Sequence, residues 1–196
     1  MIPLGVLAGS ARVGVLAVSD SFNRADNASS LGTADSGHVW TAHAGTWGID
    51  GNRARCYTLA DGQHATVNLG ASDQRIVADL SPSDGTFTGV LGRWTDAANC
   101  YWLSTTPYGD FFLARSIGDD IQVLDATEAY PVTVTLEITE EAGGTRLLAK
   151  ADGVTKINYL DTTIGRPLTG TRVGLWLGFV GGADVAYFDN FAAEAL

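Results

Sequence analysis

Apolar and polar side chains alternate most cleanly between Val132 and Thr139. Val132, Val134, Leu136 and Ile138 face one way there, and Thr133, Thr135, Glu137 and Thr139 the other. A period of two is the mark of a β-strand with one buried face. Arg172 to Val180 repeats it, with Val173, Leu175, Leu177 and Phe179 inward and Trp176 opposite, between Gly174 and Gly178. The same pattern predicts strands at Ser21–Arg24, Thr46–Ile49, Arg53–Tyr57, His64–Leu69, Arg75–Leu80, Phe87–Arg93, Cys100–Thr105, Phe111–Ile117, Ile121–Asp125, Thr145–Ala151, Val154–Leu160 and Val185–Ala193. Turn-forming residues separate them at Asp50-Gly51-Asn52, Asp61-Gly62, Asp84-Gly85, Tyr108-Gly109-Asp110, Gly118-Asp119-Asp120, Gly143-Gly144, Asp152-Gly153 and Gly181-Gly182. The first of these is a tight hairpin turn that needs positive φ, and Trp47 is the apolar anchor of its strand. No window carries an apolar i, i+3, i+4, i+7 repeat of useful length, so helices are limited to a turn or two. Short antiparallel strands in such number must each bury one face, and two packed sheets are the usual solution.

Composition narrows the function. The chain has 196 residues, 45% of them hydrophobic, which suits one domain with a core of its own. A formal net charge of −10 argues against nucleic acid and against an anionic membrane surface, since nothing would neutralise phosphate. Cys56 and Cys100 are too few for a disulfide scaffold; they either pair across strands or stay as reduced, buried thiols. Residues 1–18 are apolar, yet no basic stretch precedes them and Arg12 and Gly14 interrupt them, so they fit neither a signal peptide nor a membrane span. They read as an arm that buries against a neighbour, whether another protein or a second copy of the chain.

Three stretches carry a family likeness. One is Asp20-Ser21-Phe22-Asn23-Arg24 taken with Gly45-Thr46-Trp47-Gly48-Ile49, and the second is Leu91-Gly92-Arg93-Trp94-Thr95-Asp96-Ala97-Ala98-Asn99-Cys100-Tyr101. The third is the closing Ala186-Tyr187-Phe188-Asp189-Asn190-Phe191. Together they resemble the concanavalin A-like lectin/glucanase superfamily, in the laminin-G-like form common in bacteriophage virion proteins. The resemblance implies an all-β, two-sheet antiparallel β-sandwich (a jelly roll) over residues 19–196, preceded by the extended arm. It implies that the first and last strands pair, bringing Phe22 near Phe191 and the arm beside Leu196. It also implies a non-enzymatic virion protein, a minor tail or tail-tip component assembled in the host cytoplasm, with the arm docked on other virion proteins. Binding modules of this shape often hold a structural calcium between carboxylates of the first and last strands, which here are Asp20 and Asp189. The plainer reading of both is that they hydrogen-bond local backbone. No other cofactor is implied.

The candidate chemistry is thin. The glucanase branch of that superfamily sets its carboxylates as Glu-x-Asp-x-x-Glu on one strand, and nothing here matches. Glu137 and Glu140 fall on opposite faces, whereas a retaining pair needs its carboxyl groups about 5 Å apart on one face. There is no Gly-x-Ser-x-Gly elbow, and His38, His43 and His64 lie in segments with no evident partner; His38 and His43 read as surface residues. Aromatics remain. Flat rings stack on the apolar faces of sugars while amides and carboxylates take hydroxyls. Trp94, Tyr101, Trp102 and Trp176, with Asp96 and Asn99 in the turn that Trp94 and Tyr101 bracket, therefore form a candidate site for host-surface polysaccharide. A capsid decoration protein or a free-standing carbohydrate-binding module are the alternatives.

Overall fold

The structure is a computed structural model that describes residues 17–58, 62–118, 120–179, 181 and 185–196. These form two antiparallel sheets, and no helix occurs among the described residues. One sheet runs β13 (Val154–Asp161), β12 (Gly144–Ala151), β11 (Thr133–Glu141), β6 (Gln74–Ser81), β15 (Tyr187–Ala195), β4 (Arg53–Cys56) and β3 (Trp47–Asp50), with β1 (Ala17–Asp20) added to β15. The other runs β10 (Asp120–Glu128), β9 (Asp110–Ile117), β8 (Asn99–Thr105), β7 (Thr86–Asp96), β14 (Arg172–Phe179), β5 (Gln63–Asn68) and β2 (Thr41–Ala44). The two-sheet sandwich expected from the alternation, with the jelly-roll form that the resemblance implies, is the architecture found. Its core lies between the sheets and takes the inward residues of both, among them Ile76, Leu136, Ile138, Val173, Leu175, Tyr101 and Leu103.

The hairpin at Asp50 forms as a two-residue turn. Asp50 pairs with Arg53, and Gly51 (φ 57°) and Asn52 (φ 61°) both take the left-handed backbone that such a turn demands. Trp47 is 1% exposed, packs on Phe188 with ring centroids 5.5 Å apart, and donates from Nε1 to the Ala44 carbonyl. The ends pair as expected: Ala17 lies opposite Glu194 and Asp20 opposite Phe191.

Some boundaries differ. The first strand is Ala17–Asp20 rather than Ser21–Arg24, because the chain turns at Phe22 (φ 52°), whose amide is taken by Asp20 Oδ1 at 2.9 Å. Ala17 and Val18, assigned to the arm, are therefore sandwich residues, and Val18 is buried. Strand β2, Thr41-Ala42-His43-Ala44, is too short and has no buried face of its own, and was not expected; pairing with β5 holds it in place. Residues 1–16 of the arm lie outside the described residues, as do Asp61, Asp119, Val180 and Gly182 of the expected turns and strands. Cys56 and Cys100 are unpaired thiols, one in the inter-sheet core and the other on the opposite face of a sheet. Burial pushes their pKa values up to about 11 and about 12.

Candidate functional site

The seven-stranded sheet is apolar on both faces. Its inner face closes the core. Its outer face carries a second cluster of Leu91, Trp94, Cys100, Trp102 and Ala114, with Phe112 and Trp176 packed against it. Leu91 sits opposite Trp102, and Trp176 lies between Gly89 and His64 on the neighbouring strands. A Cβ at Gly89 would come within 2.0 Å of the Leu103 carbonyl oxygen, so this position stays bare. That gap beside Trp176 lets the rings of Trp102 and Trp176 stack at 5.7 Å, 20° from parallel. Further along the face, His43 of β2 lies 4.0 Å from Trp94, ring centroid to centroid, and 5.9 Å from His64. Between these groups is a cleft of about 210 Å³, walled by His64, Trp94, Trp102 and Trp176, floored by Leu91 and Cys100, and rimmed by Ala97 and Ile121.

Trp94 reaches this face through a backbone irregularity. Leu91 points outward, so strict alternation would send Arg93 outward and Trp94 into the core. Instead the pairing register of β7 shifts between Gly92 and Asp96, and Arg93 takes φ 46°, a conformation that costs a non-glycine residue energy. Six groups hold it there, Glu140 among them, whose Oε2 accepts from Arg93 Nη1 at 3.2 Å. The Arg93 amide donates to Gln74 Oε1 (2.8 Å), and the fully buried guanidinium donates to Ser72 O (2.8 Å), Asp73 Oδ1 (2.8 Å), Thr145 Oγ1 (3.1 Å) and Pro167 O (3.1 Å). The strand turns over, and Trp94 lands outside.

Two donors in this cluster lack acceptors. Trp94 is 7% exposed and Trp102 5%, and the Nε1–H group of each is buried with no hydrogen-bond partner among the described residues. An unsatisfied buried donor costs about 1–3 kcal/mol. The two other indoles of the first half of the chain are satisfied: Trp47 as above, and Trp40 by donating to Asp20 Oδ2 at 2.7 Å.

Of the residues singled out from the sequence, the structure brings Trp94, Trp102 and Trp176 together. Asp96 and Asn99 stay at the β7–β8 hairpin, where Asp96 Oδ1 accepts from the Ala98 amide and from Asn99 Nδ2, both at 2.9 Å. Their polar atoms are turned to each other. Tyr101 is on the wrong face: it is fully buried between the sheets and donates to Asp161 Oδ2 at 2.8 Å, with Arg115 on the other carboxylate oxygen. His43 and His64 were missed because the β2–β5 pairing, not any spacing, joins them. Burial lowers both pKa values, which holds both rings neutral near pH 7; Arg172 and His64 add to the effect at His43, while the Gly62 carbonyl opposes it at His64.

The calcium pair does not form. Asp20 is buried facing the core, and Arg24 occupies the place of a cation: its Nη1 donates to Oδ1 at 2.7 Å and its Nη2 to Oδ2 at 2.9 Å. The Phe22 amide and Trp40 complete its set of donors. Asp189 lies on the outward side of β15, because the bulge near Asn190 (φ 47°) separates it from the inward Phe191, and it accepts the Asn190 amide. A calcium between them does not fit. Nowhere among the described residues do three or more His, Cys, Asp or Glu side chains gather as metal ligands.

No carboxylate is among the described residues that line the cleft. Glu137 and Glu140 point to opposite faces of β11, as the alternation predicts. Burial alone would raise Glu137, but hydrogen bonds from Lys150 and Arg75 outweigh it and hold the group below the ordinary carboxylate range. Glu140 is held down in the same way, against burial, by Thr145, Arg166 and Arg93.

No protein-family model matches the chain, and no curated protein matches it significantly. Solved structures share its fold. The GH43 protein BlXynB of Bacillus licheniformis superposes with a TM-score of 0.62 at 15% identity, over 91% of this chain; the chain spans only 39% of that protein's length. The carbohydrate recognition domain of Emp47p superposes at 0.55 and 11% identity, over 96% of this chain and 100% of that one. The VIP36 exoplasmic/lumenal domain, solved with Ca²⁺ and Man3GlcNAc, superposes at 0.53 and 10% identity, over 80% and 83%. At these identities the likeness is one of fold: a lectin-like β-sandwich that carries both binding modules and parts of hydrolases.

Proposed function

We propose that this chain is a glycan-binding β-sandwich whose ligand lies in the aromatic cleft on the outer face of the seven-stranded sheet. The observation that carries this reading is the cleft that Trp94, Trp102 and Trp176 line on the outer face, with the Trp102 and Trp176 rings stacked. A sugar offers such a wall the apolar face of its ring, which packs on flat aromatic side chains. Among the fold neighbours, the Emp47p structure is a carbohydrate recognition domain and the VIP36 domain was solved with Man3GlcNAc, which supports the class. Hydrolysis is disfavoured because the described cleft residues offer no acid–base pair. A glycan array probed with the multimerised chain tests the reading. Signal that Trp176→Ala removes, with the melting temperature kept, supports it; an empty array overturns it.

Extended by the virion resemblance, the sandwich is the displayed part of a minor tail or tail-tip protein. Support comes from β1 and β15 lying side by side, which brings Ala17, where the described chain starts, opposite Glu194 near the C-terminal end of β15. Gold-labelled antibody on virions assembled with this chain distinguishes the outcomes. Label on the tail supports the extension, label over the head makes the chain a capsid decoration protein, and unlabelled virions overturn the virion role.

A further inference from the structure

In an acidic chain, cations are expected to find carboxylates, and most here do. Arg24, Arg55, Arg75, Arg93, Arg115, Arg146, Arg166 and Lys150 each lie within 4.0 Å of one. Three described cations have no carboxylate within that distance: Lys156, which is exposed, Arg53, which lies over the Tyr187 ring, and Arg172. Neutral oxygens hold the Arg172 guanidinium instead: Nε donates to Thr66 Oγ1 at 2.6 Å, and Nη2 to Thr41 Oγ1 at 3.1 Å and the Thr66 carbonyl at 3.3 Å. Nη1 has no partner among the described residues. The group is half-buried and sits 5.9 Å from the Trp94 ring centroid, on the ligand-facing side of the sheet.

A guanidinium stripped of part of its water and given no counter-ion is a costly arrangement, and its planar fork suits a carboxylate. The other titratable groups at this end of the face do not cancel it. His43 and His64 are neutral near pH 7, and Asp96 of the β7–β8 hairpin lies more than 4.0 Å from the guanidinium, its Oδ1 accepting within its own turn. We infer that the glycan of this cleft is acidic: a uronate-bearing oligosaccharide whose carboxylate pairs with Arg172 while its sugar rings pack along Trp94 and Trp176. This rests on the glycan reading above and names the class of sugar it takes.

Calorimetric titration of the full chain with hexasaccharides of glucuronate, galacturonate and mannuronate, each beside its carboxyl-reduced counterpart, separates the two claims. At least one uronate should bind at least tenfold more tightly than its reduced form, and that advantage should shrink as sodium chloride rises from 50 to 300 mM. Arg172→Gln should bring the uronate down to the level of the reduced sugar, and Arg172→Lys should keep part of the advantage. Reduced and acidic sugars binding equally, or an unchanged affinity in Arg172→Gln, overturn the carboxylate pairing and leave the glycan reading standing. Binding of neither set overturns both. Should Arg172→Gln fail to fold, the paired ligands and the salt series on the parent chain decide alone.

Discussion

Two pairs of tryptophans divide the molecule by what their N–H groups meet. Trp40 and Trp47 belong to the inter-sheet core and donate to an oxygen of the fold itself. Trp94 and Trp102 are buried on the outer face and donate to none. The first pair follows the rule that buried polar groups are satisfied internally, and the second breaks it. This contrast separates the two pairs more sharply than exposure does, since all four are at least nine-tenths buried. Truncating Trp47 should therefore act on stability alone. Loss of a buried Trp costs about 3–5 kcal/mol, and in a chain of this size that lowers the melting temperature by roughly 6–20 °C. Trp47→Ala should show that drop in a thermal scan while any refolded fraction keeps its glycan affinity. A melting temperature within a couple of degrees of the parent would contradict its place in the core.

At the scale of elements, β7 decides where the site is. Arg93 holds a left-handed backbone against its own preference, and the hydrogen bonds on its buried side chain keep it there. Arg93→Gln should lower stability by about 3 kcal/mol, near the low end for removing one member of a buried ion pair, because water reaches Asp73 and Glu140. A fall of roughly 6–12 °C in melting temperature checks this. The accompanying change should be a shift in the Trp94 indole signal, since the bulge carries that ring outward. Much of the fold was legible in the sequence because alternation reports burial directly: Val134, Leu136, Ile138, Val173, Leu175 and Leu177 are all inward. The site was legible only in part. Trp102 and Trp176 follow alternation, but the bulge at Arg93 reverses the parity on which a placement of Trp94 depends. Tyr101 neighbours Trp102 in sequence, and adjacent residues of a strand cannot share a face. His43 and Arg172 reach Trp94 only through pairing of strands remote in sequence, which no local pattern records.

The whole molecule carries its titrating groups in two sets. His43 and His64 have lowered pKa values, so both folded and unfolded forms are neutral above the ordinary value of 6.5. Below it the unfolded chain takes up protons that the folded one refuses, and stability falls as pH drops from 7 through 5.5. Glu137, Glu140 and Asp161 are carboxylates with lowered pKa values, held down against burial by Lys150 and Arg75, by Thr145 and Arg166, and by Arg115. Their contribution is present above the ordinary carboxylate range and is lost as pH falls below it. Melting temperatures should therefore decline in two stages, and His43→Gln with His64→Gln should flatten only the first; a first stage that persists in the double variant would place its origin elsewhere. The claim that the outer face is the binding face is tested most directly by the indole N–H signals in a ¹H–¹⁵N spectrum, assigned by single Trp→Phe variants and followed during titration with the uronate hexasaccharides and their reduced counterparts. Binding should move the Trp94 and Trp102 signals and leave those of Trp40 and Trp47 in place. Saturable binding that leaves Trp94 and Trp102 unmoved, or no binding by any sugar of either set, would contradict the account.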